Sequence, residues 1–299
     1  MTLPAHVTLV EVGPRDGLQA EPHALLHPLT ITQKMTWIQM LIDAGLQTIE
    51  IGSFVSPKWV PLMVDTPQIA THFAHNPRCI TLVPNVQGME AAMAAGVKTV
   101  AIFTGASETF VQRNINCSID ESLKRFDVIM TLAKQHNIQV RGYVSCTLGC
   151  PYEGEIALFQ VQRVANALYR MGCYEVSLAD TIGVGTPLQA SRMIESVLKD
   201  IPASALAVHF HDTYGQAIAN IYACLQLGIS TIDASVSGLG GCPYAKGASG
   251  NVATEDVLYL LEGLGIQTGV QLDGIVKAGR YINDLLKRTP QSKVAMTMR

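Results

Sequence analysis

The stretch Ala205-Leu-Ala-Val-His-Phe-His-Asp212 passes from a short apolar run into two histidines that are separated by one residue. Alternate side chains of a β-strand point to the same face, so His209 and His211 are predicted to project together from one strand end. Two neutral imidazoles side by side are a common beginning of a divalent metal site. A pair of hydrogen-bonded structural histidines is the alternative. The stretch therefore predicts a metal site only if further ligands come from other segments.

Short apolar runs of this kind recur along the chain, and a helix-like segment follows each of them. Such runs are typical of parallel strands that are buried on both faces. Eight are predicted as strands, at 6–12, 47–51, 79–83, 99–103, 138–144, 174–178, 206–210 and 231–236. The helix-like segments lie at 30–44, 56–73, 86–95, 118–136, 155–171, 186–199, 216–227 and 254–264, and a further helix is predicted at 271–288.

Eight strand–helix units in a chain of 299 residues predict an α/β fold of the (β/α)8 TIM barrel type, which typically needs about 250 residues. The alternative is an open doubly wound sheet, but no G-x-G-x-x-G follows the first strand, as a dinucleotide-binding sheet would require. We expect residues 1–299 to form a single barrel domain, with about 268–299 as a C-terminal helical extension.

Composition narrows the possible partners. The formal net charge of −3 gives no basic surface for nucleic acid, and no run approaches the ~18 apolar residues of a membrane span. The first strand begins almost at once, so no signal or transit segment is expected. The seven cysteines are an odd number and widely spread. They are expected to be reduced thiols in a cytoplasmic protein.

Polar residues follow the predicted strands at their carboxyl ends, where barrel enzymes carry their chemistry. Asp16 and Asn251 would add two oxygen ligands to the two histidine nitrogens. Without a thiolate, this mixture favours Mg²⁺ or Mn²⁺ over Zn²⁺ or Fe²⁺. The full set of polar residues at these strand ends is Arg15, Asp16, Glu50, Asp180, His209, His211, Cys242 and Asn251.

Each of these residues also has a structural alternative. Asp16 could form an Asx-turn in its Pro/Gly loop, and Asn251 could cap the last barrel helix. Glu50 could simply pair with Arg15, and Cys242 could be a small buried hydrophobe. Their common position at one barrel mouth favours the functional interpretation.

Several stretches resemble one family, the 3-hydroxy-3-methylglutaryl-CoA lyases of the metal-dependent DRE-TIM barrel superfamily. The opening Val10-Glu-Val-Gly-Pro-Arg-Asp-Gly-Leu-Gln19 is similar to theirs, as is Ser53-Phe-Val-Ser-Pro-Lys-Trp-Val-Pro61. The most specific match is Ser235-Val-Ser-Gly-Leu-Gly-Gly-Cys-Pro-Tyr-Ala245, followed by Gly247-Ala-Ser-Gly-Asn251. The resemblance covers essentially the whole chain. One departure is Ala20, where many relatives carry Asn.

The resemblance implies cleavage of 3-hydroxy-3-methylglutaryl-CoA to acetyl-CoA and acetoacetate, a step of leucine degradation and ketone body formation. It implies a homodimer and an acyl-CoA substrate that Arg15 and Gln19 contact. Cys242, Arg15 and Glu50 are the implied catalytic residues, and the base that accepts the C3 hydroxyl proton is either Asp16 or His209. A divalent cation, Mg²⁺ or Mn²⁺, is implied with Asp16, His209, His211 and Asn251 as its ligands.

Other functions stay open at this point. One is a lyase for a bulkier 3-hydroxy-3-substituted glutaryl-CoA. Another is a related acyl-CoA condensing synthase, although the loop Gly240-Gly-Cys-Pro-Tyr244 differs from that of the synthases. A third is a barrel without activity that serves as a subunit, but such a barrel should have lost ligands that this chain retains.

Overall fold

The computed structural model describes residues 3–19, 21–241 and 250–298. Its strands close into a parallel barrel in chain order, with the first strand paired to the last. The predicted (β/α)8 barrel is thereby confirmed, and the open doubly wound sheet is excluded. The strands are β1 Thr8–Glu11, β2 Thr48–Ser53, β3 Cys79–Leu82, β4 Thr99–Gly105, β5 Gln139–Ser145, β6 Glu175–Asp180, β7 Leu206–Phe210 and β8 Thr231–Ala234.

Helices follow the strands and form the outer layer of the barrel. Thr30, Ser118 and Thr186 each start a helix with a capping box, as the sequence predicts. Within the described residues the helices are α1 Pro22–Leu26, α2 Ile31–Asp43, α3 Thr66–Phe73, α4 Val86–Ala94, α5 Glu108–Ile115, α6 Ile119–Gln135, α7 Leu158–Met171, α8 Pro187–Val197, α9 Ala217–Leu225, α10 Thr254–Gly263, α11 Leu272–Leu286 and α12 Lys293–Thr297.

Two parts of the helix prediction were wrong. The helix predicted at 56–73 is only α3, and a short 3-10 turn, Pro61–Met63, precedes it. Pro67 explains the late start, because proline lacks an N–H and is tolerated only in the first turn of a helix. The helix predicted to start at 155 begins at Leu158. The short helices α1 and α5 were not predicted, since each carries less than three turns of periodic pattern.

The largest apolar core lies between the barrel wall and the helices, and includes Trp37, Phe73, Phe210 and Leu41. The barrel interior, in contrast, carries buried charge. Arg141 on β5 contacts Asp233 on β8, and these strands are not neighbours in the sheet, so the ion pair crosses the interior. Among the described residues, no helix combines the length and the apolarity that crossing a bilayer requires.

Candidate active site

The turn after β1 positions the first two predicted site residues. Gly13–Gly17 forms one π-helical turn that carries Arg15 and Asp16. Gly17 must be glycine, because a Cβ there would lie 2.9 Å from the Cβ of Leu239 and 2.9 Å from Ser235 Oγ. This close approach packs the turn against the segment after β8, which carries Asn251 farther along.

Asp16, His209 and His211 meet at the carboxyl end of the barrel. Each offers a ligand atom, and these atoms all lie within 4.8 Å of one another. The Oδ2 atom of Asp16 is 3.8 Å from Nε2 of His209 and 3.9 Å from Nε2 of His211. Both histidines are buried, and the side chain of Asp16 is 21% exposed. The predicted projection of both rings from β7 toward one place agrees with this geometry.

Asn251 joins the same group. Its backbone pairs with that of His211, and its Nδ2 donates to Asp16 Oδ2 at 2.9 Å and to the carbonyl of Leu239 at 3.2 Å. The capping alternative for Asn251 is wrong, because Ala253 occupies the N-cap position of α10 and the helix has no side-chain cap. With both amide hydrogens directed to other partners, the amide oxygen is the ligand atom that Asn251 can offer.

Arg15 is held between two carboxylates. Its Nε donates to Glu50 Oε2 at 2.7 Å, and its Nη1 donates to Asp16 Oδ1 at 2.5 Å. Burial alone would lower the pKa of Arg15, but the charges of Glu50 and Asp16 outweigh it and raise that pKa further above its usual value. In turn, burial would raise the pKa of Asp16, but Arg15 and the two histidines hold it well below its usual range. Arg15 and Asp16 are therefore both charged at neutral pH.

The donors at this barrel end fit a divalent cation. They combine a charged carboxylate, two imidazole nitrogens and an amide oxygen, all of which are side-chain ligands of divalent cations in proteins. Asp16 is kept ionised, and this is the form that binds a metal.

The remaining predicted residues have different outcomes. Glu50 is fully buried at a register shift of β2 and pairs with Arg15, as the sequence suggested. Gln19 is exposed on the helical residues that follow the β1 turn. Asp180 accepts hydrogen bonds from the backbone N–H groups of Val184 and Gly185, so it holds the loop after β6. Cys242 and Ala20 lie outside the described residues.

Sequence reasoning missed the polar residues beneath the site. Asp233 lies beside His209 in the β7–β8 register, and its Oδ2 is 3.2 Å from Nδ1 of His209. Ser177 and Arg141 bond the same carboxylate. The available signal was the presence of Arg141 and Asp233, two charged residues, inside segments otherwise predicted as buried strands.

Comparison with known proteins places the chain in one family. The family model described as HMGL-like matches residues 6–282. Curated relatives include "Hydroxymethylglutaryl-CoA lyase, mitochondrial" of Pongo abelii, which is 56% identical over 296 residues, 98% of this chain and 90% of the relative.

A bacterial relative from Pseudomonas aeruginosa is 54% identical over 300 residues, covering 100% of this chain and 99% of the relative. Its name is "3-hydroxy-3-isohexenylglutaryl-CoA/hydroxy-methylglutaryl-CoA lyase". A crystal structure of a hydroxymethylglutaryl-CoA lyase from Pseudomonas aeruginosa superposes with a TM-score of 0.95 at 54% identity, and covers 99% of this chain and 98% of that one.

Proposed function

Because the chain belongs to the HMGL-like family, we propose that it is a hydroxymethylglutaryl-CoA lyase. It cleaves 3-hydroxy-3-methylglutaryl-CoA between C2 and C3 to acetoacetate and acetyl-CoA. The observation that carries this proposal is the convergence of Asp16, His209, His211 and Asn251 beside the Arg15–Glu50 pair at one barrel mouth. It is the arrangement expected for a carbon–carbon lyase of this family.

The proposed cofactor is Mg²⁺ or Mn²⁺, held by Asp16, His209, His211 and Asn251. When bound, such a cation supplies Lewis acidity that lowers the pKa of a substrate hydroxyl and fixes its orientation. The support for this cofactor is the donor set itself: one carboxylate oxygen and two ring nitrogens lie within 4.8 Å of one another, and the side chain of Asn251 is hydrogen-bonded to the same carboxylate.

The residues around the donors have distinct proposed roles. Asp16 or His209 accepts the proton of the C3 hydroxyl, which starts cleavage of the C2–C3 bond. The electron pair of that bond then passes to the acetyl-CoA thioester as an enolate. Arg15 faces the charge that develops on the enolate oxygen, and Glu50 keeps the guanidinium in place through hydrogen bonds of 2.6–2.7 Å. Gln19 is proposed to contact the substrate.

Cys242 is the proposed donor of the proton that completes acetyl-CoA. An unperturbed thiol has a pKa of about 8.5, so it is protonated at neutral pH and can supply that proton. The support is from sequence: Cys242 lies between Gly240-Gly241 and Pro243-Tyr244, in the segment most specific to the lyases.

A second candidate substrate has a bulkier group at C3. The relative from Pseudomonas aeruginosa is named for both an isohexenyl and a methyl substrate, and it is 54% identical to this chain. A condensing synthase has no comparable observation in its favour.

We further propose a cytoplasmic homodimer that acts in leucine degradation and ketone body formation. The chain is proposed to form one barrel domain over 1–299, with a helical extension from about 268. The position of α11 and α12 after the last barrel helix supports the extension.

The test is a substrate panel with purified, metal-loaded protein. Acetoacetate and acetyl-CoA should form in equal amounts from the methyl substrate, and an isohexenyl analogue measures tolerance at C3. Protein stripped with a chelator should lose activity and recover it with Mg²⁺ or Mn²⁺. No cleavage of any 3-hydroxyglutaryl-CoA by loaded protein would reject the function. Full activity in verified metal-free protein would reject the cofactor alone.

A further inference from the structure

The side chain that lies beside His209 is not one of the predicted ligands. In the register of β7 and β8, His209 is the partner of Asp233, and the two side chains meet through Nδ1 and Oδ2 at 3.2 Å. Asp233 is fully buried within the barrel. Its carboxylate contacts the imidazole at Nδ1, whereas Nε2 is the ring nitrogen nearer to Asp16.

The partners of Asp233 decide which ring nitrogen carries the hydrogen. Arg141 donates Nη2 to Oδ1 at 2.7 Å and Nη1 to Oδ2 at 3.0 Å, and Ser177 donates its hydroxyl to Oδ2 at 2.9 Å. A carboxylate in such an ion pair only accepts hydrogen bonds. Nδ1 of His209 must then be the donor. In a neutral imidazole this leaves the lone pair on Nε2.

That lone pair is on the side of the candidate metal site, since Nε2 of His209 lies 3.8 Å from Asp16 Oδ2. We propose that Asp233 is a positioning residue that holds His209 in the Nδ1–H tautomer, with Nε2 directed to the cation. A ring held in this way has no free nitrogen, so Asp16 is the one of the two candidate bases that can accept the hydroxyl proton. The inference deepens the proposed function and rests on it in one respect, namely that the group bound by Nε2 is a divalent cation. Metal-bound histidines commonly need such a partner on the second nitrogen.

Arg141 makes this arrangement rigid. Its side chain is fully buried, and it also donates to Glu175 at 2.6 Å and to the hydroxyl of Tyr143 at 2.5 Å. The bonds to Glu175 and Tyr143 hold the guanidinium in the position from which it donates to both oxygens of Asp233. Asp233 on β8 is therefore held by Arg141 on β5, with its Oδ2 toward the ring of His209.

The first measurement is made on metal-free protein. Nitrogen-15 NMR at pH 8 reports which ring nitrogens of His209 carry hydrogen, with assignment by comparison to His209→Gln. Wild-type protein should show the Nδ1–H form. An Nε2–H ring, or a ring protonated on both nitrogens, would overturn the proposal. This readout needs neither metal nor substrate, so it stands or fails independently of the lyase function.

The second measurement is the affinity for Mn²⁺ by calorimetry. Asp233→Asn keeps the size of the side chain but replaces a group that only accepts hydrogen bonds with an amide that can also donate one to Nδ1. It should introduce the Nε2–H form and weaken Mn²⁺ binding by about 10- to 100-fold. Ser177→Ala is the matched control, because it removes another bond to the same Oδ2, and its Mn²⁺ affinity should change by less than about threefold.

A purely structural role for Asp233 predicts a different pattern. Asp233→Asn would then lower the melting temperature, while the tautomer and the Mn²⁺ affinity of folded protein stayed as in the wild type, and this would reject the proposal. If the single variant does not fold, Arg141→Gln with Asp233→Asn removes both buried charges. The proposal expects weakened Mn²⁺ binding in that double variant as well, and unchanged binding would contradict it.

Discussion

Among single residues, Arg15 combines burial with two carboxylate partners, Glu50 and Asp16. A guanidinium keeps its proton at any pH of interest, so it can stabilise negative charge without taking part in proton transfer. Its ring contact with Tyr143, 5.6 Å from the guanidinium carbon to the ring centre, limits its movement further. These features suit a group that stabilises a charge formed only during the reaction.

The first prediction is that Arg15→Met lowers kcat far more than it changes KM. Removal of one hydrogen-bond donor from an oxyanion site costs about 10²–10³ in rate, and loss of a full charge should cost at least as much. Steady-state kinetics measures both constants. The control is Arg163→Met, since Arg163 pairs with Asp120 at the surface and its loss should leave kcat unchanged. A normal kcat with a raised KM for Arg15→Met would show that Arg15 only binds substrate.

The second prediction concerns Cys242. Cys242→Ser should fold normally, bind metal and lose about 100-fold or more in kcat, because serine is a much weaker proton donor than a thiol. Kinetics together with thermal unfolding measures the effect. Cys79→Ser is the contrast, as Cys79 is buried on β3 and its replacement should lower the melting temperature but spare kcat. If Cys242→Ser instead keeps kcat and loses stability, Cys242 has a packing role.

Among the elements, the short turn Val236–Gly238 after β8 depends on two buried acidic side chains. Glu11 accepts the N–H of Val236 at 2.8 Å, and Glu255 accepts the N–H of Ser237 at 2.8 Å. Ser237 has a left-handed backbone with φ of 60°, which is costly for a residue other than glycine. Both acids thus stabilise the backbone just before the glycine-rich segment.

The third prediction is a pH dependence of stability that comes from these acids. Burial raises the pKa of Glu255 to about 8 and that of Glu11 to about 7, from 4.5. At a pH between 4.5 and these raised values, the folded chain binds more protons than the unfolded chain. The free energy of unfolding therefore falls as pH rises from about 5 to 8. One such carboxyl contributes a slope of up to about 1.4 kcal/mol per pH unit.

Glu255→Gln should reduce that slope, because the amide is neutral at every pH and its oxygen can still accept the N–H of Ser237. Urea unfolding at pH 5 to 8 measures the slope. Glu262→Gln is the matched control, since Glu262 is exposed on the same helix and should leave the slope as in the wild type. An unchanged slope for Glu255→Gln would mean that Glu255 is already ionised in the folded protein.

Helix starts with a capping box and the positions of buried strands follow from local sequence, and this explains which elements could be predicted. The three capping boxes are decided by residues three positions apart, and all three are present. The register shift of β2 at Glu50 depends on pairing with β3, so no local pattern indicates it.

At the scale of the whole molecule, the site residues that could be predicted are those whose positions do not depend on the register between strands. His209 and His211 are two residues apart, so strand geometry predicts their common direction. Asp16 and Asn251 could be placed with them because every barrel strand ends at one face. Asp233 could not be placed beside His209, because their contact depends on the register between β7 and β8.

The C-terminal segment connects distant parts of the molecule. Asp256 on α10 accepts from the hydroxyl of Ser292 at 2.6 Å and from the N–H of Val294 at 2.9 Å. Arg288 reaches Glu21, in the loop after β1, at 3.3 Å, and donates to the carbonyl of Gly238 at 3.4 Å. The segment after α11 therefore contacts the loops that follow β1 and β8, which both lead into the candidate site.

The last prediction tests the buried pair of Arg288 and Glu21. Burial lowers the pKa of Arg288 despite the charge of Glu21, so the attraction does not offset the loss of water. Arg288→Met leaves Glu21 buried without its cation and should lower the free energy of unfolding by about 3–5 kcal/mol. Adding Glu21→Gln removes the remaining charge and keeps an acceptor for the N–H of His23, so the double variant should be more stable than Arg288→Met alone. Urea unfolding of the wild type, both single variants and the double variant gives the coupling free energy between Arg288 and Glu21. If the two single losses simply add in the double variant, Arg288 and Glu21 do not act as a pair.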